Sequence, residues 1–270
     1  MATAQVSGIM SMLGDRISLP ASTSELARSF KSAHPFPHLV IDNMFPDHTL
    51  DELFAEIPPP TDEKWVHERR ERLTKSNLRS AVELGEAGFQ FTAFLNSAKF
   101  LYLVSELTGI DALLPDPYMG GAGYHVVPSG GKFDVHADRN IDQVTGLKRR
   151  LAMLVYMNKN WKTEYGGQLE LWDTTGSQCE VVVEPIFNRT VIFEVTDQNF
   201  HGVRPVLNKE RARTSFAVYY HTVPEPGMIP HNSIYAPSFY LKKEPLRRRV
   251  MNEVMPPVLL RAARKLTGRG

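Results

Sequence analysis

Two histidines and one carboxylate have the types and spacing to do chemistry in this sequence. Phe133-Asp134-Val135-His136-Ala137-Asp138 reads as a short extended segment, and a lone His201 lies 65 positions after His136. Residues two apart in an extended segment share a face. His136 and Asp138 can therefore approach one ion together, with Ala137 turned away. Two imidazole nitrogens and one hard carboxylate suit iron(II) and leave positions open for an oxidant and its co-substrate. A His-x-Asp pair alone is weak evidence, since such pairs are usually only hydrogen-bonded or exposed. The surrounding elements decide the matter.

Those elements change character along the chain. Residues 1–22 are weakly patterned. Ser24 is in place to cap a helix from Glu25 to Phe30, and Leu39-Val40-Ile41 reads as a strand. Pro46-Asp47-His48-Thr49 introduces a second helix carrying Leu50, Leu53, Phe54 and Ile57 at helical spacing. Pro58 to Lys75 is polar and reads as a solvated loop, with a loop facing the active site as the alternative. Phe89 to Thr108 reads as one helix, with Phe91, Phe94, Leu95, Ala98, Leu101 and Tyr102 on its apolar face and Gly109 as its stop.

From Gly120 onward, eight short β-rich runs follow: Gly123–Val127, Lys132–His136, Leu151–Met157, Gln168–Trp172, Cys179–Val183, Thr190–Val195, Gly202–Val206 and Arg213–Tyr220. Turn residues such as Pro128-Ser129-Gly130-Gly131 and Gly166-Gly167 separate most of them. This spacing predicts a mostly β fold: a double-stranded β-helix, that is a cupin-like jelly roll, with N-terminal helices packed outside it. The expected organisation is one oxygenase domain over residues 23–240, with its core at about 120–221, followed by a basic extension over 241–270. That extension carries Arg247-Arg248-Arg249. Packing on the domain is its expected role, with a dimer interface or acidic lipid as alternatives.

A jelly roll can bring His201 to the same mouth as His136 and Asp138. Arg213 lies 12 residues further on, in a strand where Arg213, Ser215, Ala217 and Tyr219 share one face. An arginine directed into a barrel is costly unless it meets an anion, and its fork matches a carboxylate. The parts are those for iron and a keto-acid.

These stretches resemble the Fe(II)- and 2-oxoglutarate-dependent dioxygenases, particularly their prolyl-hydroxylase-like branch. The matching blocks run from Gly131 to Asp138, from Arg150 to Asn158 with Trp161, from Gly166 to Leu171, and from His201-Gly202-Val203 to Arg213 and Tyr220. The resemblance covers about Gly120 to His221, with a weaker echo at Phe36 to Asp42. It implies that His136, Asp138 and His201 are the iron ligands and catalytic centre. Arg213 then holds the distal carboxylate of 2-oxoglutarate, and Tyr156 hydrogen-bonds the same carboxylate. Tyr124 or His125 takes another co-substrate or substrate-facing place. The loop after His201 is about two residues longer than in close relatives, and its Arg204 and Arg211 compete with Arg213 for the carboxylate.

The resemblance implies a reaction in which O2 is divided between 2-oxoglutarate, which yields succinate and CO2, and a substrate that becomes an alcohol. The expected substrate is a small amino-acid-like or natural-product molecule. The lysines and arginines between Trp65 and Arg79 suit an anionic or polar ligand. Hydroxylation of a prolyl or other residue in a protein is the alternative, and a cupin-like metal-binding protein without keto-acid chemistry is another. A formal net charge of +1 over 270 residues gives no reason to expect nucleic acid. No apolar run is long enough for a transmembrane anchor. With no secretory signal and the single Cys179, a cytoplasmic protein is expected. A homodimer remains open.

Overall fold

The expected strands all form, and a hairpin joins them that the sequence reading left as loop. The computed structural model describes residues 14–78 and 81–236. The expectations for residues 1–13, for Arg79 and for the basic extension lie outside these. In chain order, α1 (Thr23–Ser32) precedes β1 (His38–Asp42), then α2 (Asp47–Ala55), β2 (Trp65–Arg70) and β3 (Leu73–Leu78). Next come α3 (Glu86–Leu95), α4 (Ala98–Thr108), β4 (Gly123–Val127), β5 (Phe133–Ala137) and β6 (Lys148–Tyr156). The chain continues through β7 (Leu169–Trp172), β8 (Cys179–Val183), β9 (Arg189–Glu194), β10 (His201–Val203), β11 (Arg213–Thr222) and β12 (Ile234–Tyr235).

The strands form one curled sheet in the order β1-β9-β6-β11-β4-β3-β5-β10-β7-β8, with β2 on β3 and β12 on β5. Every pairing is antiparallel. The result is a jelly-roll-like half-barrel with the N-terminal helices packed against it.

Period-two alternation divides the sheet's two faces. On β6, Leu151, Met153 and Val155 join the core under the helices, whereas Ala152 and Tyr156 join the core inside the barrel. On β11, Phe216, Val218 and Tyr220 face the helices, and Arg213, Ser215 and Tyr219 line the barrel's cavity. The helices supply Leu26, Phe30, Leu50, Leu53, Phe100, Leu103 and Leu107 to the first core. Each of these side chains removes from water an area contributing roughly 1.5–3 kcal/mol.

Two local expectations are corrected. Ser22, not Ser24, caps α1, because Glu25 completes a capping box: the Glu25 amide donates to Ser22 Oγ at 3.3 Å and the Ser22 amide to Glu25 Oε2 at 3.1 Å. The single helix expected over Phe89–Thr108 is two helices, α3 and α4. Asn96 leaves the helix to bond the backbone of Asp116, and Ser97 starts α4 by accepting from the Phe100 amide at 3.3 Å. Small polar side chains compete with helical hydrogen bonds in this way. Gly109 does end α4, in the left-handed conformation (φ 66°).

The hairpin replaces the solvated loop expected over Pro58–Lys75. Strands β2 and β3 pair from Trp65 with Leu78 to Arg70 with Leu73. Strand β3 also bonds β4 and β5, so it is sandwiched in the sheet beside the segment that carries His136.

Candidate metal and co-substrate site

His136 and His201 are register partners across β5 and β10, and Asp138 follows the end of β5. One ligand atom from each of the three lies within 4.8 Å of the others, and all three residues are buried. His136 Nε2 is 3.2 Å from one Asp138 oxygen, and His201 Nε2 is 3.9 Å from the other. The outer ring nitrogens are committed elsewhere. His136 Nδ1 donates to the Asp134 carbonyl at 2.9 Å and His201 Nδ1 to the Asn199 carbonyl at 3.1 Å. Such bonds fix the tautomer and leave each Nε2 lone pair free for a metal.

The donor set fits a divalent iron-type ion. Apart from its 3.2 Å contact with Asp138, His136 Nε2 is buried with no hydrogen-bond partner among the described residues, a costly state unless something coordinates it. Burial first, and the neighbouring His136 second, push His201 down to about 4. At neutral pH its imidazole is therefore the neutral form that ligates. Burial by itself would raise Asp138, but the contact with His136 and the charges of His201, His136 and Arg149 hold its carboxyl well below the usual carboxylate range. Two imidazole nitrogens and a carboxylate on one side of an ion are the facial arrangement of non-heme iron(II).

From the triad a cavity runs into the barrel between Val127, Leu154, Leu169 and Phe193 and meets Arg213. Arg213 is 3% exposed, so its charge must be met from inside. Arg213 Nε donates to the Gly167 carbonyl at 2.8 Å and Nη2 to the Tyr156 hydroxyl at 2.9 Å. The guanidinium carbon also lies 4.7 Å from the centroid of the Tyr156 ring. None of these partners is anionic. Gly167 sits at φ 73°, and a Cβ there would come within 3.3 Å of the Arg213 side chain. Next to Arg213, Asn158 Oδ1 accepts from both the amide and the hydroxyl of Thr214 at 2.8 Å, while its Nδ2 donates to the Pro185 and Thr214 carbonyls. Asn158 thus staples the end of β6 to the start of β11.

The competing arginines lie elsewhere. Arg204 pairs with Glu170, and Arg211 donates to the Lys159 and Asn160 carbonyls. Tyr124 does not face the cavity, which corrects that assignment. It lies on the helical face of β4, packs edge-on against Phe216 with centroids 5.1 Å apart, and donates to Glu56 Oε1 at 2.6 Å. Its neighbour His125 points the opposite way, as strand alternation requires, and lines the cavity. Burial first, then the charge of Lys75, hold His125 well below the usual histidine range. Its Nε2 donates to the Gly121 carbonyl at 2.9 Å. Trp172 is buried with its indole N–H on Glu170, a packing role. Burial raises the half-buried Cys179 thiol to about 11, so it is no thiolate ligand.

Lys75, which the sequence groups with the cations of a lid suited to an anionic or polar ligand, stands beside the triad itself. It lines both the triad cavity and a more polar chamber outside it, together with Asp138, Arg139, Arg149 and Tyr219. Burial pushes its ammonium below the usual lysine range, against the opposing charges of Glu68 and Asp138. The alternation Leu73, Lys75, Asn77 along β3 is the signal that places it, once β3 is known to be a strand.

Comparison with known proteins agrees with this geometry. Residues 122–221 match the 2OG-Fe(II) oxygenase superfamily. Prolyl 3-hydroxylase OGFOD1 of Mus musculus is 34% identical over 84 residues, covering 30% of this chain and 15% of that protein. Prolyl hydroxylase EGLN3 of Mus musculus is 34% identical over 77 residues, covering 28% of this chain and 32% of that protein. The chain therefore aligns with less than a third of either mouse protein. Among solved structures, a Pseudomonas putida prolyl-4-hydroxylase superposes with a TM-score of 0.55 at 18% identity, over 75% of this chain and 100% of that one. A Trichoplax adhaerens prolyl hydroxylase, in complex with a hypoxia inducible factor oxygen degradation domain peptide fragment, superposes at 0.53 and 17% identity, over 81% and 93%. These two establish the fold. The matched segment, which holds the His136, Asp138 and His201 triad, is thus similar to the Fe(II)/2-oxoglutarate dioxygenase superfamily and to its prolyl-hydroxylase-like members. Among the described residues, no helix is long and apolar enough to cross a membrane.

Proposed function

We infer that this chain is an Fe(II)- and 2-oxoglutarate-dependent oxygenase that hydroxylates a residue, a prolyl residue first, within a polypeptide. The observation that carries the chemistry is a triad of His136, Asp138 and His201 opening into a cavity that reaches a buried, anion-free Arg213. A cupin-like binding protein has no need of a charged guanidinium at that depth. Iron(II) on the triad with 2-oxoglutarate would supply the oxidising power that places one oxygen atom of O2 on the substrate, the other leaving in succinate.

The chain's own residues do the positioning. Arg213 pairs with the distal carboxylate of the keto-acid, and Tyr156 and Gly167 hold the guanidinium in its direction. Val127, Leu154, Leu169 and Phe193 exclude water from the cavity, so the Arg213–carboxylate attraction acts in a low dielectric.

The small-molecule substrate expected from the sequence gives way to a polypeptide. The two mouse proteins named above are prolyl hydroxylases by name, and the outer chamber beside the triad opens to solvent between the β2–β3 hairpin and Asn232, Ser233 and Tyr235. Oxygen-dependent succinate release, screened against proline-containing peptides, free amino acids and pathway intermediates, tests the reading. A peptide product heavier by one oxygen supports it. Turnover confined to free small molecules returns the assignment to the small-molecule class.

A further inference from the structure

We propose that the outer chamber holds a carboxylate side chain of the substrate, so that the polypeptide carries an Asp or Glu close to the residue that is oxidised. The proposal rests on the polypeptide-oxygenase reading above. Four cationic side chains, Arg70, Lys75, Arg139 and Arg149, line this chamber against the two anionic ones, Glu68 and Asp138, and Asp138 is committed to the triad.

The cations nearest the triad are poorly compensated. The Lys75 side chain is 14% exposed, and its Nζ makes no hydrogen bond among the described residues. Its closest carboxylate, Glu68, is 4.0 Å away and lies 3.9 Å from Arg70 as well. Arg149 is buried, with its guanidinium carbon 3.9 Å from the centroid of the Tyr219 ring. One of its terminal nitrogens donates to the Gly120 carbonyl and pairs with the buried Asp142 at 3.4 Å, but its buried Nε has no partner among the described residues. Arg139 makes no ion pair among the described residues. Charges left this incompletely paired in a part-buried wall are costly unless a ligand completes them. An arginine fork and an ammonium converging on one space suit a carboxylate. Arg213 already serves the co-substrate on the far side of the triad, so a second anion site here falls to the substrate.

The test uses the full chain with Fe(II) and 2-oxoglutarate under anaerobic conditions, where peptides bind without turnover. Fluorescein-labelled peptides of Gly and Ala around a central Pro carry Glu, Gln or Lys at successive offsets, and anisotropy reports binding. At one offset the Glu peptide is expected to bind about tenfold or more tighter than its Gln counterpart, the scale of a charge-assisted hydrogen bond. The preference should disappear in Lys75→Gln and shrink in Arg139→Gln. Arg139 is half-buried and makes no ion pair among the described residues, so that variant keeps the test alive if Lys75→Gln does not fold. Equal binding of Glu and Gln peptides at every offset, or a preference unchanged in both variants, overturns the proposal.

Admitting air to the same samples separates the two readings. Proline peptides that gain oxygen regardless of charge leave the oxygenase assignment standing and sink the acidic requirement. Lys75-dependent binding of Glu peptides without oxygen gain supports the anion site while the prolyl assignment fails.

Discussion

Arg213 and Tyr156 hold each other inside the barrel: Nη2 of the arginine donates to the tyrosine hydroxyl at 2.9 Å, and the guanidinium lies over the ring. The two residues are 57 positions apart and meet because β6 and β11 are neighbours, with Ser215 opposite Tyr156. The pair orients a cation but does not neutralise it. Replacing Arg213 by Ala should weaken 2-oxoglutarate binding about a hundredfold, the low end of the 2–5 kcal/mol lost when one partner of a buried charge pair is removed. Tyr156→Phe should cost only about 1 kcal/mol. Anaerobic titration of the visible charge-transfer band of the Fe(II)–keto-acid complex measures both. Unchanged affinity in Arg213→Ala, with iron retained, would falsify the assignment.

The Gly167 backbone is part of the same device. Its carbonyl accepts from Arg213 Nε, and its φ of 73° lies where a side chain is strained. Gly167→Ala should therefore lower 2-oxoglutarate affinity while leaving metal affinity unaltered. Isothermal titration with each ligand separates the two effects, and a loss confined to metal binding would contradict this account.

Much of this site was legible in the sequence because strand alternation is a strict rule. His136 and Asp138 share a face by their spacing, and Arg213 and Ser215 face the cavity as period two requires. The same rule makes Tyr124 and His125 face opposite ways, and one sequence does not say which of them faces inward; the Phe216 and Glu56 contacts of Tyr124 decide it. The β2–β3 hairpin was illegible for another reason. Trp65 to Leu78 is rich in charge, which reads as loop, yet Glu68, Arg70 and Lys75 line a polar chamber where charge is no obstacle to a strand. Lys75 was legible as a ligand-suited cation, but its place beside the triad was not. The break between α3 and α4 was missed because the apolar period of Phe91 to Leu101 runs on through Asn96 and Ser97.

The triad predicts a metal-dependent stability. An ion that binds only the folded state adds about 2.7 kcal/mol at a concentration a hundred times its Kd. Differential scanning fluorimetry should show a rise of several degrees on adding Fe(II) or Co(II) anaerobically, reversed by a chelator. His201→Ala should abolish the rise, because two remaining ligands hold the ion far less well. An undiminished shift in that variant would place the metal elsewhere.

Asn158 should matter to folding more than to chemistry. It is buried and makes four hydrogen bonds that tie β6, β11 and the segment before β9 together. Asn158→Ala removes the partner of the Thr214 amide and hydroxyl and of the Pro185 carbonyl, while the Thr214 carbonyl still accepts from the Met157 amide at 3.3 Å, and should cost roughly 2–4 kcal/mol in urea unfolding. Refolded variant protein should retain near-normal 2-oxoglutarate affinity. A stability loss within 0.5 kcal/mol, about that of an ordinary surface change, would show that other contacts carry the join.

Acid should destabilise this protein through a histidine remote from the triad. His221 on β11 is fully buried, and neither ring nitrogen has a hydrogen-bond partner among the described residues. Burial first, then the charge of Arg149, push it down to about 4. In the unfolded chain the same group takes up its proton near about 6.5. Between these values the unfolded state binds more protons than the folded one, so stability rises with pH across the window. It is full above the unfolded value and drains away as pH falls toward 4, by about 2 kcal/mol at pH 5 for this one group. His221→Leu keeps the volume and removes the titration. Its cost at neutral pH should stay below about 1.5 kcal/mol. Urea midpoints of the metal-free protein at pH 7 and pH 5 should therefore lie closer together in the variant than in the parent, and an equal gap in both would assign the acid sensitivity to other groups.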